Sequence, residues 1–350
     1  MKELVGIGYT ALLSNFTRLA KPYKLNYAIT LRCQSRCLTC NIWKLKSNGE
    51  LSIDEIREFA KSNNSFRWIA LTGGEPFLRS DIVEVVRAFK ESCKNMYLLT
   101  IPTNSLCNTD KVVNYVSQIL ELGVPKVAIT LSLDGYREVH DRVRGVPGNY
   151  DRVMEMYRRF KELKKEHKNL SFFFGYTISK FNEGNLIKTV NEIRKDIQDV
   201  KYSDFHINLC QTSDNYYHNQ GSQIKGHSDI VAGELEEIIR RREPGFGAIS
   251  LLERAFLKGL LQFARTGRPP YKSMRLNASI FVDSWGNVYP SIMWNKKIAN
   301  LREINYNLGN VWESDKAQEV RRMIREGKEP SQWTACEAYQ TLLANASSIL

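Results

Sequence analysis

The 350-residue chain is 43% hydrophobic and 25% charged, ordinary values for a folded protein long enough to bury a large core, which excludes wholesale disorder. Its formal charge of +12 is spread over segments such as "YRRFKELKKEHKN", where bases and acids interleave as on a solvated helix face, so a nucleic-acid partner is not expected. Seven cysteines, an odd number at no repeated spacing outside one cluster, exclude a disulfide scaffold.

The first 24 residues hold an apolar run too short and too interrupted for a signal peptide or a membrane span. Val5, Tyr9, Leu12, Leu13 and Phe16 fall at helical spacing, which predicts an amphipathic helix that either caps the domain behind it or lies on a membrane surface. From residue 25 onward, short β-rich runs alternate with segments of 3.6 periodicity. "KLNYAIT" leads through a cysteine-bearing loop to "SIDEIREFAKS"; "RWIALTGG", "MYLLTIPTN", "KVAITLSLDG" and "LSFFFGYTIS" each precede a helical pattern; and "DFHINLCQ" precedes a polar stretch. Six strand-to-helix steps predict an α/β fold, a partial (β/α)6 TIM-type barrel over residues 25–230, with ligands at the C-terminal ends of the strands.

Residues 211–230, rich in Asn, Ser, Gln and Gly, read as a linker or mobile loop, and 231–275 as a helical linker. A small α+β extension is expected over 276–350, opening with a hairpin in "ASIFVDSWGNVYPS" that turns at Trp285, Gly286 and Asn287.

The chemistry concentrates in "LRCQSRCLTC". Cys33, Cys37 and Cys40 can aim three sulfurs at one centre from a single loop, which suits a [4Fe–4S] cluster with one iron left open. A zinc site is the competing reading, although no second Cys-x-x-Cys or His pair follows to complete four ligands. "LTGGEP", residues 71–76, offers two glycines for close backbone approach and an acid able to pair with an ammonium group.

Together "CQSRCLTC" after "LNYAIT" and "LTGGEP" after the second strand resemble the signatures of the radical S-adenosylmethionine (SAM) superfamily. The resemblance implies a [4Fe–4S] cluster on Cys33, Cys37 and Cys40, with SAM chelating the fourth iron. It also implies SAM contacts from Gly73, Gly74, Glu75 and Pro76, and from Asn104, Ser132 and Arg144. Thr39 departs from the pattern, since the residue before the third cysteine is usually aromatic and packs near the adenine.

The C-terminal part resembles the SPASM or twitch extension of such enzymes, but Ser291 stands at the hairpin cysteine position. Ser331, Gln332 and Trp333 stand where others offer thiols, and only Cys336 remains. One cluster and no auxiliary cluster are therefore expected.

By resemblance, reductive cleavage of SAM yields a 5′-deoxyadenosyl radical that takes a hydrogen atom from a substrate C–H bond. Flavodoxin or ferredoxin would be the electron donor and a peptide the substrate. Alternatives are the same chemistry on a sugar, lipid or other small metabolite, and a non-catalytic metal-binding module. Cys210 and Cys336 are candidate hydrogen donors, with Tyr216 and Tyr217 behind them; Cys93 and Cys107 read as core. The expected location is cytoplasmic, with peripheral membrane contact as the alternative.

Overall fold

The computed structural model describes residues 2–245 and 247–346. Helix α1 (Lys2–Phe16) precedes β1 (Lys24–Thr30). Then follow α2 (Ile53–Ser62), β2 (Trp68–Gly73), α3 (Ile82–Ser92), β3 (Leu98–Thr103), α4 (Thr109–Glu121) and β4 (Lys126–Ser132). Next come α5 (Glu138–Arg144), α6 (Asn149–Glu166), β5 (Leu170–Ile178), α7 (Leu186–Asp196) and β6 (Phe205–Leu209). Strands β1 to β6 lie side by side in chain order, every neighbouring pair parallel, as expected of a singly wound partial barrel. All seven residues of β1 are buried, which is why it reads as a near-continuous apolar run around Lys24, Asn26 and Thr30.

The helices start where their sequences say they should. Ser52 and Glu55 form a capping box on α2: the Glu55 carboxylate accepts from the Ser52 amide at 2.8 Å, and the Ser52 hydroxyl accepts from the Glu55 amide at 3.3 Å. Behind it, Phe59 of α2 and Phe89 of α3 meet Tyr27 of β1 edge-on, each with its ring centroid 6.3 Å away, and so clamp both helices to the sheet.

The sequence reading misses one element and one interruption. The short α5 is hidden between strand and helix signals, preceded by Arg137 in a positive-φ conformation. The helical stretch after residue 230 is two helices, α8 (Ser228–Arg241) and α9 (Ala248–Thr266), parted by "REPGFG", whose Pro244 cannot continue α8.

The hairpin forms from β7 (Ser279–Val282) and β8 (Asn287–Tyr289), followed by β9 (Ala299–Asn300), α10 (Gly309–Trp312), α11 (Asp315–Arg325) and α12 (Ala335–Ala344). β7 pairs in parallel with β1, so the extension continues the barrel sheet into nine strands, of which β6 and β9 are the open edges. Helices α9 and α12 cover the β6 side: His206 of β6 stacks on Phe256 of α9 and against Tyr339 of α12, and Tyr339 donates to Glu253.

Helix α12 runs the depth of this opening. Cys336, near its start, borders the apolar cluster around Leu31, Ile42 and Tyr216, whereas Ala344, at its end, joins Tyr23, Trp68 and Ile7 at the opposite end of the strands. A buried polar network secures it. The Lys24 ammonium donates to the Cys336 carbonyl (2.6 Å) and the Gln340 side chain (2.8 Å) and sits 3.7 Å from the Trp68 ring centre. Arg275 pairs with Glu329 at 2.7 Å and lies 3.9 Å from Glu337. Burial pushes Glu337 up to about 7 and Lys24 down to about 8.

The 211–230 segment differs from its expectation. It is irregular up to the start of α8, but Gln211, Ser213, Asn215, Tyr216 and Asn219 are buried in it. Its amide-rich composition serves internal bonding: Asn219 donates to the carbonyls of Thr39 (2.7 Å) and Gln211 (3.0 Å), and Asn215 to that of Ser291 (3.0 Å).

Candidate active site

The loop after β1 carries Cys33, Cys37 and Cys40, all free thiols and all partly buried. Backbone bonds hold it from several sides. Arg36 and Leu38 donate to the carbonyls of Arg144 and Val143 at the end of α5, both at 2.9 Å, and Asn41 donates to Tyr217 at 2.9 Å. Parallel neighbours in register bring the ends of β2 and β3 alongside.

The two glycines of "LTGGEP" make this closeness physical. Gly73 has φ of +144°, and a Cβ there would lie 2.2 Å from the Thr30 carbonyl oxygen; one on Gly74 would lie 2.2 Å from that of Arg32. The Gly74 and Glu75 amides donate to those same carbonyls at 2.8 and 2.7 Å. The glycines thus allow the "GGEP" backbone to lie directly on the root of the cysteine loop.

Glu75 is buried, and both of its carboxylate oxygens accept from backbone amides, Asn104 at 2.7 Å and Phe77 at 3.2 Å. Burial pushes its carboxyl up to about 7 against those two bonds. Pro76 opens the single 3-10 turn that follows. The Asn104 side chain reaches the cysteine loop, 3.7 Å from Cys33 Sγ and 3.3 Å from the Gln34 amide oxygen.

Arg144, at the end of α5, sets Nη1 3.8 Å from Cys37 Sγ and Nε 2.8 Å from Asp134 Oδ2. That Asp134 also accepts from the Thr177 amide at 2.9 Å, so it orients the guanidinium from the ends of β4 and β5. Ser132 ends β4 opposite Gly175 and is partly buried. Thr39 is partly buried, and its carbonyl accepts from Asn219.

Tyr216 is the contact that the linker reading of 211–230 hides. Its hydroxyl donates to the Gly73 carbonyl at 3.0 Å and accepts from the Thr72 hydroxyl at 2.6 Å, so the segment after β6 is tied across the mouth to β2. Cys40 and Cys336 both border the cluster that contains this tyrosine. Cys210 is buried at the end of β6, its amide bonded to Ile178. Burial pushes the Cys210 thiol up to about 12 and that of Cys336 up to about 11. Cys93 is buried in the core, and Cys107, also buried, accepts from the Gln34 side chain at 3.2 Å.

In the extension, the Ser291 hydroxyl lies 3.3 Å from the Gln332 amide, which, oriented with its oxygen toward Arg275, accepts from that guanidinium. A cavity of about 480 Å³ opens beside this network, lined in part by Arg275, Gln332, Trp333 and Glu337; none of the three clustered cysteines lines it.

Residues 27–193 match the profile of the Radical SAM superfamily. These residues form a radical SAM domain. It is 28% identical over 191 residues to the AdoMet-dependent heme synthase of Methanosarcina barkeri, covering 53% of this chain and 51% of that one. It is also 28% identical over 139 residues to a probable GTP 3′,8-cyclase of Thermococcus kodakarensis, covering 38% and 42%. The chain thus spans about half the length, or less, of these curated relatives.

In fold it resembles anSMEcpe with bound AdoMet (TM-score 0.60, 17% identity, 94% of this chain and 98% of that one). It also resembles Streptococcus suis SuiB bound to the precursor peptide SuiA (TM-score 0.61, 16% identity, 90% and 70%).

Radical SAM proteins use a [4Fe–4S] cluster and SAM, and the donor set here fits such a cluster. Burial pushes the Cys33 thiol up to about 12 and Cys40 higher still, with the neighbouring Cys37 thiol adding to both, so loading a cluster would release protons. The N–H groups of Asn104 and Arg144 beside Cys33 and Cys37 suit thiolate acceptors. Among the described residues, no three His, Cys, Asp or Glu side chains converge as ligands of one metal ion do. A cubane asks instead for thiolates spread over separate irons.

Proposed function

We propose that this chain is a radical SAM enzyme that cleaves SAM reductively at one cluster held by Cys33, Cys37 and Cys40 and abstracts a hydrogen atom from a C–H bond of a peptide. The observation that carries this reading is the meeting of the three-cysteine loop, the "GGEP" backbone and Asn104 at one mouth, joined by hydrogen bonds. The bound pair supplies one-electron hydrogen-atom abstraction.

The protein's share is positioning. Gly73 and Gly74 seat the methionyl-binding backbone against the cysteine loop, and Glu75 and Pro76 fix its turn. Asn104, Ser132 and Thr39 would contact the ribose and adenine of bound SAM, and Arg144, held by Asp134, supplies a fixed cation beside Cys37. The segment holding Tyr216 roofs the mouth and excludes water.

Flavodoxin or ferredoxin is the electron donor in this reading. Cys336 is the hydrogen donor to the product radical, because it borders the same apolar cluster as Cys40, and its thiyl radical then takes an electron from the external donor and a proton from water; Cys210 is the second candidate. The SPASM or twitch position holds no second cluster, since Ser291, Gln332 and Arg275 are bonded to one another there.

A peptide substrate is supported by the fold shared with SuiB, solved with a precursor peptide. A small metabolite is the second reading, supported by the heme synthase and GTP cyclase relatives.

Anaerobic reconstitution followed by dithionite and SAM tests the proposal: about four irons per chain and release of 5′-deoxyadenosine are expected. A cluster-loaded sample that releases none would overturn catalysis, and about eight irons would overturn the single cluster. Deuterium transfer into 5′-deoxyadenosine from a labelled peptide, against a labelled metabolite, separates the two substrate readings.

A further inference from the structure

Helix α1 turns the wrong face outward for a simple cap. Ile7, Ala11 and Ser14 are the buried positions, packed around Tyr23, Trp68 and Ala344, while Leu4, Val5, Tyr9, Leu12 and Phe16 are exposed. Phe16 is 71% exposed, Tyr9 67% and Val5 66%. Of the nine exposed large apolar side chains among the described residues, five belong to this one helix. Scattered exposed apolar residues need no explanation, but a contiguous stripe on one face does.

The surroundings of the stripe are basic. α1 lies at the N-terminal ends of the strands, against Tyr23, Trp68, Tyr97 and Leu98. The five connections entering β1 to β5 (17–23, 63–67, 93–97, 122–125 and 167–169) carry Arg18, Lys21, Arg67, Lys94 and Lys168 and no acid, although Arg18 is paired with Glu313 of the extension. Lys21, Lys94 and Lys168 are exposed, and none of these three is in an ion pair among the described residues. The Arg67 guanidinium touches α1 itself, since a Cβ on Gly6 would lie 2.7 Å from its Nη1.

We infer that this end of the protein docks on an anionic lipid bilayer, with α1 lying in the interface and its apolar stripe inserted at the level of the headgroups. An apolar helix face ringed by cations matches a surface that is negative outside and apolar beneath. A second copy of the chain matches less well, because apposing two such ends would bring each basic rim against its equal. A reductant must approach the cysteine loop, which lies at the opposite end of the parallel strands.

Sedimentation with phosphatidylcholine vesicles, with and without phosphatidylglycerol, tests this. The reconstituted wild type is expected to bind the anionic vesicles only, less so as salt rises. Val5→Ser/Tyr9→Ser/Phe16→Ser and, separately, Lys94→Glu/Lys168→Glu should each lower the bound fraction by about tenfold while iron content and melting temperature stay unchanged.

Failure of the wild type to bind, or equal binding to neutral vesicles, would overturn the inference. So would a dimer in light scattering that the triple variant dissociates. The assay contains no substrate, so its outcome is independent of the reaction proposed above.

Discussion

The mouth of the barrel and the extension beside it handle their polar groups in opposite ways. At the mouth, Cys33, Cys37 and Cys40 are free thiols, and the side-chain N–H groups beside Cys33 and Cys37 lie at a long 3.7 and 3.8 Å, leaving the sulfurs available to a ligand. In the extension, Ser291, Gln332, Arg275 and Glu329 satisfy one another. Two neighbouring regions of one sheet thus differ in that the proposed cluster site leaves its thiols weakly partnered, while the buried strut completes its bonds.

The sharpest way to break that comparison is at the thiols. Cys37→Ala should abolish both the absorbance near 400 nm of a reconstituted cluster and 5′-deoxyadenosine release, with little effect on the melting temperature of the iron-free protein. Retained cluster and activity would show that the loop is not the metal centre.

Arg275→Ala tests the other side. It removes the cation paired with half-buried Glu329 and one of the two cations near buried Glu337, and should cost about 3 kcal/mol of stability in denaturant titration, while iron per folded chain stays constant. Loss of iron instead would tie the extension to the cluster.

Gly74→Ala couples the two regions least and the mouth most. The added methyl meets backbone carbonyls of Arg32 and Leu31, which cannot swing aside, so a loss of about 1–3 kcal/mol and poorer cluster loading are expected. Unchanged loading would mean that the "GGEP" segment can retreat from the cysteine loop.

The smallest effect near neutral pH is a pH dependence. His140 is buried with its Nδ1 accepting from the Asp134 amide at 3.0 Å, and burial holds its imidazole down at about 3. The unfolded chain therefore takes up a proton near pH 6.5 that the folded chain refuses. Stability should fall by about 1.4 kcal/mol for each pH unit below that value, down toward pH 3. His140→Gln, which keeps an acceptor, should flatten this acid limb in pH-dependent melts.

Much of this was legible in the chain itself. The six strands announce themselves because parallel strands are buried on both faces, and "KLNYAIT" coincides with β1. The cysteine spacing and "GGEP" are local motifs, and local motifs survive in a linear reading. The role of the glycines was not legible, because their neighbours are Thr30 and Arg32, some forty residues away. Nor was the burial of much of 211–219, because polar side chains that bond to distant backbone look the same in sequence as those that face water. Which face of α1 packs inward was not legible for a related reason: apolar spacing finds a stripe, but Ile7 and Ala11 form a narrower one that the sheet end accepts instead.

The sequence by itself determined the alternation of elements, the three thiols and the radical SAM signatures of the barrel, since these depend on residue type and short spacing. Only the tertiary structure decided that β7 joins β1, that α12 fills the open side, that Asp134 steers Arg144 and that α1 presents its apolar side to solvent. Each of those outcomes is a contact between distant segments, set by which surfaces fit and which buried charges find partners, and no local pattern records it.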